Sequence, residues 1–140
     1  MMNLWELLQK NYIPAPRYCK ESWLNMSKMD TTWDWIAIDR VLIKKIKINK
    51  TLMSFPNDVD DDEVTHMINN FEEDVWEPIL INSDYYLLDG QHRLRLAFRT
   101  GIKFIDVIME KKKDPLVSKK LKDAIKRKEK LEKLMDAAIL

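Results

Sequence analysis

The chain has 140 residues, of which 46% are hydrophobic and 34% are charged, and these values are typical of one folded domain rather than a disordered segment. No apolar run approaches the roughly 20 residues that a membrane helix needs, so we expect no membrane partner. The first residues lack a basic segment followed by an apolar stretch, so we expect no signal peptide. A single cysteine, Cys19, excludes an internal disulfide and is typical of a reduced, cytoplasmic compartment.

The net charge of +1 conceals an uneven distribution of charge along the chain. Residues 51–92 contain eleven acids and no Lys or Arg, whereas residues 111–133 contain eleven Lys or Arg. A basic segment attracts nucleic acid or an anionic surface, and it is also the ordinary composition of a solvated helix face. Both interpretations of the basic segment stay open at this point.

Residues 1–34 are predicted to form a helical arm that packs on the main body. Asn3 caps a first short helix. Residues 20–29 are predicted to form a second short helix, with Trp23, Leu24 and Met29 facing inward. Four of the five tryptophans lie in the first 35 residues, and we expect them to pack in the core, with base stacking as the alternative.

Residues 35–110 are predicted to form the main domain, an α+β fold with a small mixed β-sheet flanked by helices. The last strand of this domain is apolar on both faces apart from Asp106, so we expect it to lie inside the sheet. The periodicity and the turn residues predict a strand over 35–38, a helix over 60–73, a hairpin over 78–81 and 85–88, a helix over 91–100 and a strand over 103–109.

Residues 111–140 are predicted to form a long, basic, amphipathic C-terminal helix. Lys128 interrupts a strict heptad, which favours packing of the apolar stripe on its own domain over a homodimer through this helix. The predicted stripe comprises Val117, Leu121, Ala124, Ile125, Leu131, Leu134, Met135 and Ala138. The candidate DNA contacts are Lys111, Lys112, Lys113, Lys119, Lys120 and Lys122.

The candidate chemistry lies where a strand ends and a helix begins, at Gly90. Such a junction presents backbone N–H groups and the positive end of a helix dipole, and a missing side chain lets an anion approach. Arg93 follows in the first turn and can clamp phosphate oxygens, while His92 can shuttle a proton. Asp89 can hold Mg²⁺ or act as a base. The alternative is that Asp89 only caps the helix, Gly90 only makes the turn, and the other two are surface residues.

The segment from Pro78 to Met109 resembles the central part of the ParB/sulfiredoxin superfamily, whose shared pattern is a strand ending in a Gly-x-x-Arg helix and then a short strand. Gly90, Arg93, Arg95 and Ala97 match the ParB-type box. The loop Asp89-Gly90-Gln91-His92-Arg93 is also close to the Asp-Gly-His-His-Arg loop of a serine-phosphorylating branch. The resemblance covers roughly residues 35–110, and it implies a ParB/sulfiredoxin-like fold.

The resemblance also implies that the loop binds a nucleotide of the CTP or ATP class through its phosphates. The contacts would be Gly90, Gln91, His92 and Arg93. Lys50, or alternatively Lys47, would be a further phosphate contact. Mg²⁺ would accompany the nucleotide and would be held by phosphate oxygens and Asp89. The activity implied is Mg²⁺-dependent NTP hydrolysis or phosphotransfer, with Asp89 and His92 as the catalytic residues. The alternatives are a DNA-binding or nuclease-type protein and a non-catalytic interaction module.

Overall fold

The computed structural model describes the backbone of residues 3–139 and the side chains of residues 3–114 and 123–136. The described residues form an α+β fold, as predicted. Its helices are α1 (Leu4–Lys10), α2 (Arg17–Met29), α3 (Asp61–Asn69), α4 (Gln91–Thr100) and α5 (Pro115–Ile139). Its strands are β1 (Tyr12–Ile13), β2 (Trp33–Leu42), β3 (Ile79–Asn82), β4 (Leu87–Asp89) and β5 (Phe104–Lys112).

The sheet is mixed and is built around β5. Strand β2 runs antiparallel along one edge of β5, whereas β1 and β3 run parallel to it in succession along the other edge. Strand β4 pairs antiparallel with β3 and completes the predicted hairpin. Residues 105–109 are buried, which confirms that the last predicted strand lies inside the sheet.

Strand β5 and strand β2 are both longer than the sequence predicts, because each extends along the other. Lys112 pairs with Trp33, so Lys111 and Lys112 belong to the sheet and not to the C-terminal helix. Strand β2 continues past the predicted residues 35–38 through a shift of register between Ile38 and Val41. The hydrophobic pattern of the sequence does not predict the full length of β2, because its ends are determined by pairing with β5.

The core lies between the sheet and the helices that cross it. Ile79, Ile81 and Val107 of the sheet are fully buried, and Leu96 and Ala97 of α4 pack in the same cluster. Each aliphatic side chain of this size contributes about 1.5–3 kcal/mol when it is fully buried. This packing fixes α4 on the sheet and so determines which of its faces points outward.

The N-terminal arm packs on β2 through a helix face that includes the predicted Trp23 but not the other two residues predicted to face inward. The rings of Trp23 and Trp35 lie 5.7 Å apart, and Ser27 Oγ donates a hydrogen bond of 2.9 Å to the Trp35 carbonyl. Leu24 and Met29 are exposed, so the prediction that they face inward is wrong. Trp23 and Ser27 lie four residues apart and share the face toward β2, which leaves Leu24 and Met29 outside it.

A buried carboxylate, Asp106, fastens the arm to β5. The Tyr12 hydroxyl and the N–H groups of Ala15 and Arg40 donate to it, and Lys20 Nζ lies 2.9 Å from its Oδ2. We call these five residues the Asp106 cluster. Arg40 has a positive φ of 55°, and it lies at the register shift of β2, where its N–H reaches the carboxylate.

The Asp106 cluster also changes the proton affinity of two of its members. Burial raises the pKa of the Tyr12 phenol, and its hydrogen bond to Asp106 raises it further. Burial acts to lower the pKa of Lys20, but hydrogen bonds to Asp106 and Asp39 outweigh it, so the net direction is upward. Both shifts favour the protonated forms that make these contacts.

Helix α5 differs from its predicted packing. Its described apolar side chains remain exposed, so the prediction that this stripe packs back on its own domain is wrong for residues 123–136. The predicted stripe residues Val117, Leu121 and Ala138 lie outside the described side chains. None of the helices that the structure describes is both long and apolar enough to cross a membrane.

Candidate functional site

Gly90 connects β4 to α4 and adopts a conformation that other residues rarely reach. Its φ is +111°, and a Cβ placed on it would lie 2.7 Å from Cγ2 of Ile79. The side of Gly90 without a side chain therefore faces the core and the Arg93 guanidinium rather than open solvent. As the N-cap of α4, Gly90 offers no side-chain hydrogen bond, and Asp89 does not cap the helix in its place.

Helix α4 presents three faces to three different neighbours, because residues three or four apart share a face. One face, with Gln91 and Arg95, turns toward the segment 43–59. A second face, with His92 and Arg99, turns toward α3. Arg93 turns toward the residues just before β3. The loop residues that the sequence places side by side thus point in different directions.

The Arg93 guanidinium is held by main-chain acceptors. Its Nη1 donates to the carbonyl oxygens of Glu77 at 3.0 Å and Pro78 at 2.8 Å, and its Nη2 lies 3.7 Å from Asp89 Oδ2. The side chain is only 18% exposed. In this arrangement Arg93 ties the start of α4 to the start of β3, and a phosphate ligand would have to exchange these bonds.

His92 and Asp89, the predicted catalytic pair, face different partners. The Asp60 N–H donates to His92 Nε2 at 3.2 Å, and the same nitrogen lies 3.4 Å from the Glu63 carboxylate. Asp89 faces Arg93. Among the described contacts no hydrogen bond or ion pair joins Asp89 to His92. The structure therefore does not bring the two predicted catalytic groups together.

A groove of about 610 Å³ lies between α4 and the segment 43–59. We call it the α4 groove. Its walls are mostly apolar, and its polar side chains are concentrated on one helix face and on the opposite segment. The apolar residues are Ile43, Ile46, Ile48, Val59, Leu94 and Phe98, and the polar ones are Lys44, Lys50, Asp58, Gln91 and Arg95.

Two predicted ligand residues, Gln91 and Lys50, meet in the α4 groove. The Gln91 amide donates to the carbonyl oxygens of Phe55 at 3.0 Å and Asn57 at 2.6 Å, which holds the segment 43–59 against α4. Lys50 forms an ion pair with Asp58, and its hydrogen bond lowers the pKa of that carboxyl. The segment and the helix are thus connected by Gln91, which itself lines the groove.

Arg95 and Lys44 complete the groove, and neither is among the predicted phosphate contacts, although Arg95 belongs to the ParB-type box. Neither side chain makes a hydrogen bond or an ion pair within the described part of the chain, and both are exposed. Arg95 follows Gln91 by four residues, so helical spacing was the signal that could have placed it beside Gln91. No local pattern marks Lys44, which reaches the groove through the packing of its segment on α4.

The basic residues proposed for DNA binding do not form one described surface. Lys111 and Lys112 are exposed at the end of β5. Lys113 Nζ instead donates to the carbonyl oxygens of Ser27 and Asp30, so it closes the junction between β5 and α2. The remaining candidates, Lys119, Lys120 and Lys122, lie outside the described side chains.

The residues near Gly90 do not by themselves fit a protein-held magnesium site. Asp89 is a single carboxylate that already faces a cation, and it does not line the α4 groove. Within the described residues, no three His, Cys, Asp or Glu side chains gather in a way that could hold a metal ion. Any Mg²⁺ here would depend on oxygen atoms of the ligand, as is usual for Mg²⁺ with phosphates.

No protein-family model and no curated protein sequence matches the chain. Among solved structures, the chain is similar to the pNOB8-like ParB N-domain, at 22% identity and a TM-score of 0.43, over 56% of this chain and 28% of that chain. It is also similar to the C2221 form of the Pnob8-like ParB-N domain, at 21% identity and a TM-score of 0.41, over 56% of this chain and 30% of that one. The chain thus matches less than a third of the length of either structure.

Proposed function

We propose that the chain binds a nucleoside phosphate of the CTP or ATP class in the α4 groove. The observation that carries this proposal is the pair of cations, Arg95 and Lys44, that line an apolar groove without an acidic partner in the described structure. A ligand that matches both features has an apolar ring system and an anionic end. A nucleoside phosphate is a common ligand of this kind.

The size and lining of the α4 groove suit a ligand of this class. Its volume of about 610 Å³ lies within the range of about 300–1,000 Å³ that is typical of small-molecule sites. Phe98 is 70% exposed, lines the groove and offers an aromatic ring on which a base can stack. The guanidinium of Arg95 can form paired hydrogen bonds with phosphate oxygens, and Lys44 adds a second positive charge.

The first turn of α4 supports phosphate binding from the other end of the groove. Gln91 begins the helix and lines the groove, and the Gly90 N-cap leaves the N–H groups of this turn without a side-chain cap. Such N–H groups and the helix dipole favour an anion. Gly90 acts here by its backbone path, while His92 and Arg93 would contribute only after exchanging their present partners.

Hydrolysis or phosphotransfer has less support than binding. Asp89 and His92 lie on different sides of the α4 start and are engaged with Arg93 and with α3. Magnesium enters the proposal only as the ion that accompanies a nucleoside triphosphate. The proposal is therefore that the protein binds a nucleotide. It does not depend on whether the protein hydrolyses that nucleotide or transfers its phosphate.

Calorimetric titration with CTP, ATP and GTP in the presence of Mg²⁺ tests the proposal. Removing one charge-assisted contact costs about 1.5–3 kcal/mol, so Arg95→Ala should weaken the best nucleotide by about 10- to 100-fold. Lys44→Ala should weaken it by a smaller factor. Arg17→Ala and Lys45→Ala are matched controls, because they remove an exposed cation that does not line the groove.

The proposal is wrong if no nucleotide binds, or if Arg95→Ala and Lys44→Ala bind as tightly as the wild type. DNA belongs in the same panel, because the chain also carries the basic segment. DNA affinity that falls steeply with salt and is lost in a Lys111→Ala, Lys112→Ala double variant, with no nucleotide binding, would favour the nucleic-acid alternative.

A further inference from the structure

Helix α5 has an apolar face that the described part of the chain leaves uncovered. Ile125 is 48% exposed, Leu131 59%, Leu134 62% and Met135 61%. Single exposed apolar residues are normal, but a row of them along one helix marks an interaction surface.

The spacing along α5 is that of a coiled-coil seam. Ala124, Lys128, Leu131 and Met135 follow one another at intervals of four, three and four residues. This alternation corresponds to the a and d positions of a heptad, with Lys128 and Met135 at a and Ala124 and Leu131 at d. Ile125 at position e and Leu134 at position g flank this seam and widen its apolar contact surface for a partner helix.

We propose that α5 pairs with α5 of a second copy of this chain as a parallel, two-stranded coiled coil. The charges beside the seam select this partner and this direction. Arg127 occupies position g and Glu132 the following position e. In a parallel pair, Arg127 of each copy lies beside the partner's Glu132, which gives two attractive contacts per dimer. An antiparallel pair would instead bring g positions against g positions, so Arg127 would face Arg127 or Leu134 of the other copy and lose its contact with Glu132.

The described structure leaves both charges available for this contact. Arg127 Nε donates only to the Asp123 carbonyl, at 3.4 Å within its own helix, and no described ion pair involves Glu132. Lys128 in the seam is compatible with a dimer, because a long side chain can bury its stem and keep its ammonium in water. A single polar residue at position a fixes register and favours two strands, at a cost in stability.

Sedimentation equilibrium of the full chain over a range of concentrations tests the pairing. We expect a reversible monomer–dimer equilibrium in the wild type. Leu131→Asp should abolish it, and Lys128→Leu should tighten it by about tenfold or more, because an apolar residue replaces a charge in the seam. These two variants change the seam in opposite directions, so general misfolding cannot explain both results.

Charge reversal tests the parallel orientation. Arg127→Glu and Glu132→Arg should each weaken the dimer severalfold, and the double variant should restore it, since the attractive pair is re-formed in reverse. Lys126→Glu and Glu129→Arg make the same charge changes away from the seam and are the matched controls. Equal effects of the control and seam variants would contradict the assigned positions.

A monomeric mass at every concentration would overturn the proposal. A dimer that Leu131→Asp leaves intact would also overturn it, because another surface would then form the contact. A dimer that depends on Leu131, but in which the double charge reversal binds no more tightly than the two single reversals, would refute the parallel orientation. None of these measurements involves a nucleotide, so their outcome is independent of the function proposed for the α4 groove.

Discussion

The backbone of Gly90 lies directly against the side chain of Ile79, so that a Cβ at residue 90 would be 2.7 Å from Ile79 Cγ2. No real Cβ tolerates such a distance without movement of its neighbour. The contact brings the start of α4 down onto β3 and thereby orients the helix that carries Gln91 and Arg95. The glycine thus affects the α4 groove through the position of the helix, without itself lining the groove.

Gly90→Ala should destabilise the protein by about 2–5 kcal/mol, because strain at a positive φ adds to overpacking against Ile79. The measurement is the free energy of unfolding from urea denaturation. Gly101→Ala is the matched control, since Gly101 also has a positive φ, of 78°, but open space where its Cβ would lie. That control should lose about 1–2 kcal/mol from backbone strain alone. Equal losses in the two variants would contradict the packing role of Gly90.

Arg93→Met should lower the free energy of unfolding by about 2–3 kcal/mol, because it removes charge-assisted hydrogen bonds to the Glu77 and Pro78 carbonyls and leaves those acceptors unpaired. Arg95→Met keeps the same stem and should change stability by less than about 0.5 kcal/mol, since Arg95 is exposed and unpaired in the described structure. Urea denaturation of both variants checks the contrast. Unchanged stability of Arg93→Met together with lost nucleotide affinity would instead identify Arg93 as a ligand contact.

Asp106→Asn should destabilise the protein by about 2–4 kcal/mol, because the amide cannot accept from every donor in the Asp106 cluster and leaves Lys20 with less compensation. Asp39→Asn is the control, since that carboxylate also pairs with Lys20 but is 61% exposed. It should cost less than about 1 kcal/mol. Chemical denaturation at neutral pH measures both losses, and a larger loss for Asp39→Asn would refute the anchoring role of Asp106.

The Asp106 cluster predicts a loss of stability at alkaline pH. The pKa values of Tyr12 and Lys20 are both raised in the folded protein, so the folded state holds these protons more tightly than the unfolded state. Their contribution is fully present below the ordinary tyrosine pKa of 10.0 and is lost as the pH rises above it. The free energy of unfolding measured at several pH values should therefore fall above about pH 10.

Tyr12→Phe should make that alkaline decrease shallower, because it removes one of the two linked protons. Tyr86→Phe removes a phenol that makes no hydrogen bond in the described structure, and it should leave the slope unchanged. An identical slope in the wild type and Tyr12→Phe would show that the alkaline transition has another origin.

Helix α4 and its flanking strands could be predicted from the sequence because their signals are local. The apolar spacing of Leu94, Ala97 and Phe98 predicts a helix, and Gly101 ends it in a left-handed conformation, as its sequence position indicates. Periodicity shows which residues share a face. Periodicity does not show which part of the protein that face contacts. The sequence therefore could not predict that Arg93 binds main-chain carbonyl groups while Arg95 lines the α4 groove.

Contacts between distant segments explain the other differences. The length of β2 follows from its pairing with β5, and the partners of Asp106 come from residues 66 to 94 positions away in the chain. The uncovered stripe of α5 has the same origin. The sequence pattern indicates that α5 has an apolar face. The tertiary structure determines whether other parts of the chain cover that face.

The α+β class, the strand–Gly–helix junction at Gly90 and the amphipathic nature of the last helix follow from the sequence, because each depends on residues close together in the chain. The carbonyl contacts of Arg93, the groove shared by Arg95 and Lys44, and the anchoring of the arm by Asp106 are seen only in the folded structure. These are contacts between side chains and segments that come together only when the sheet forms, and their free energies depend on burial and on partners that no local pattern specifies.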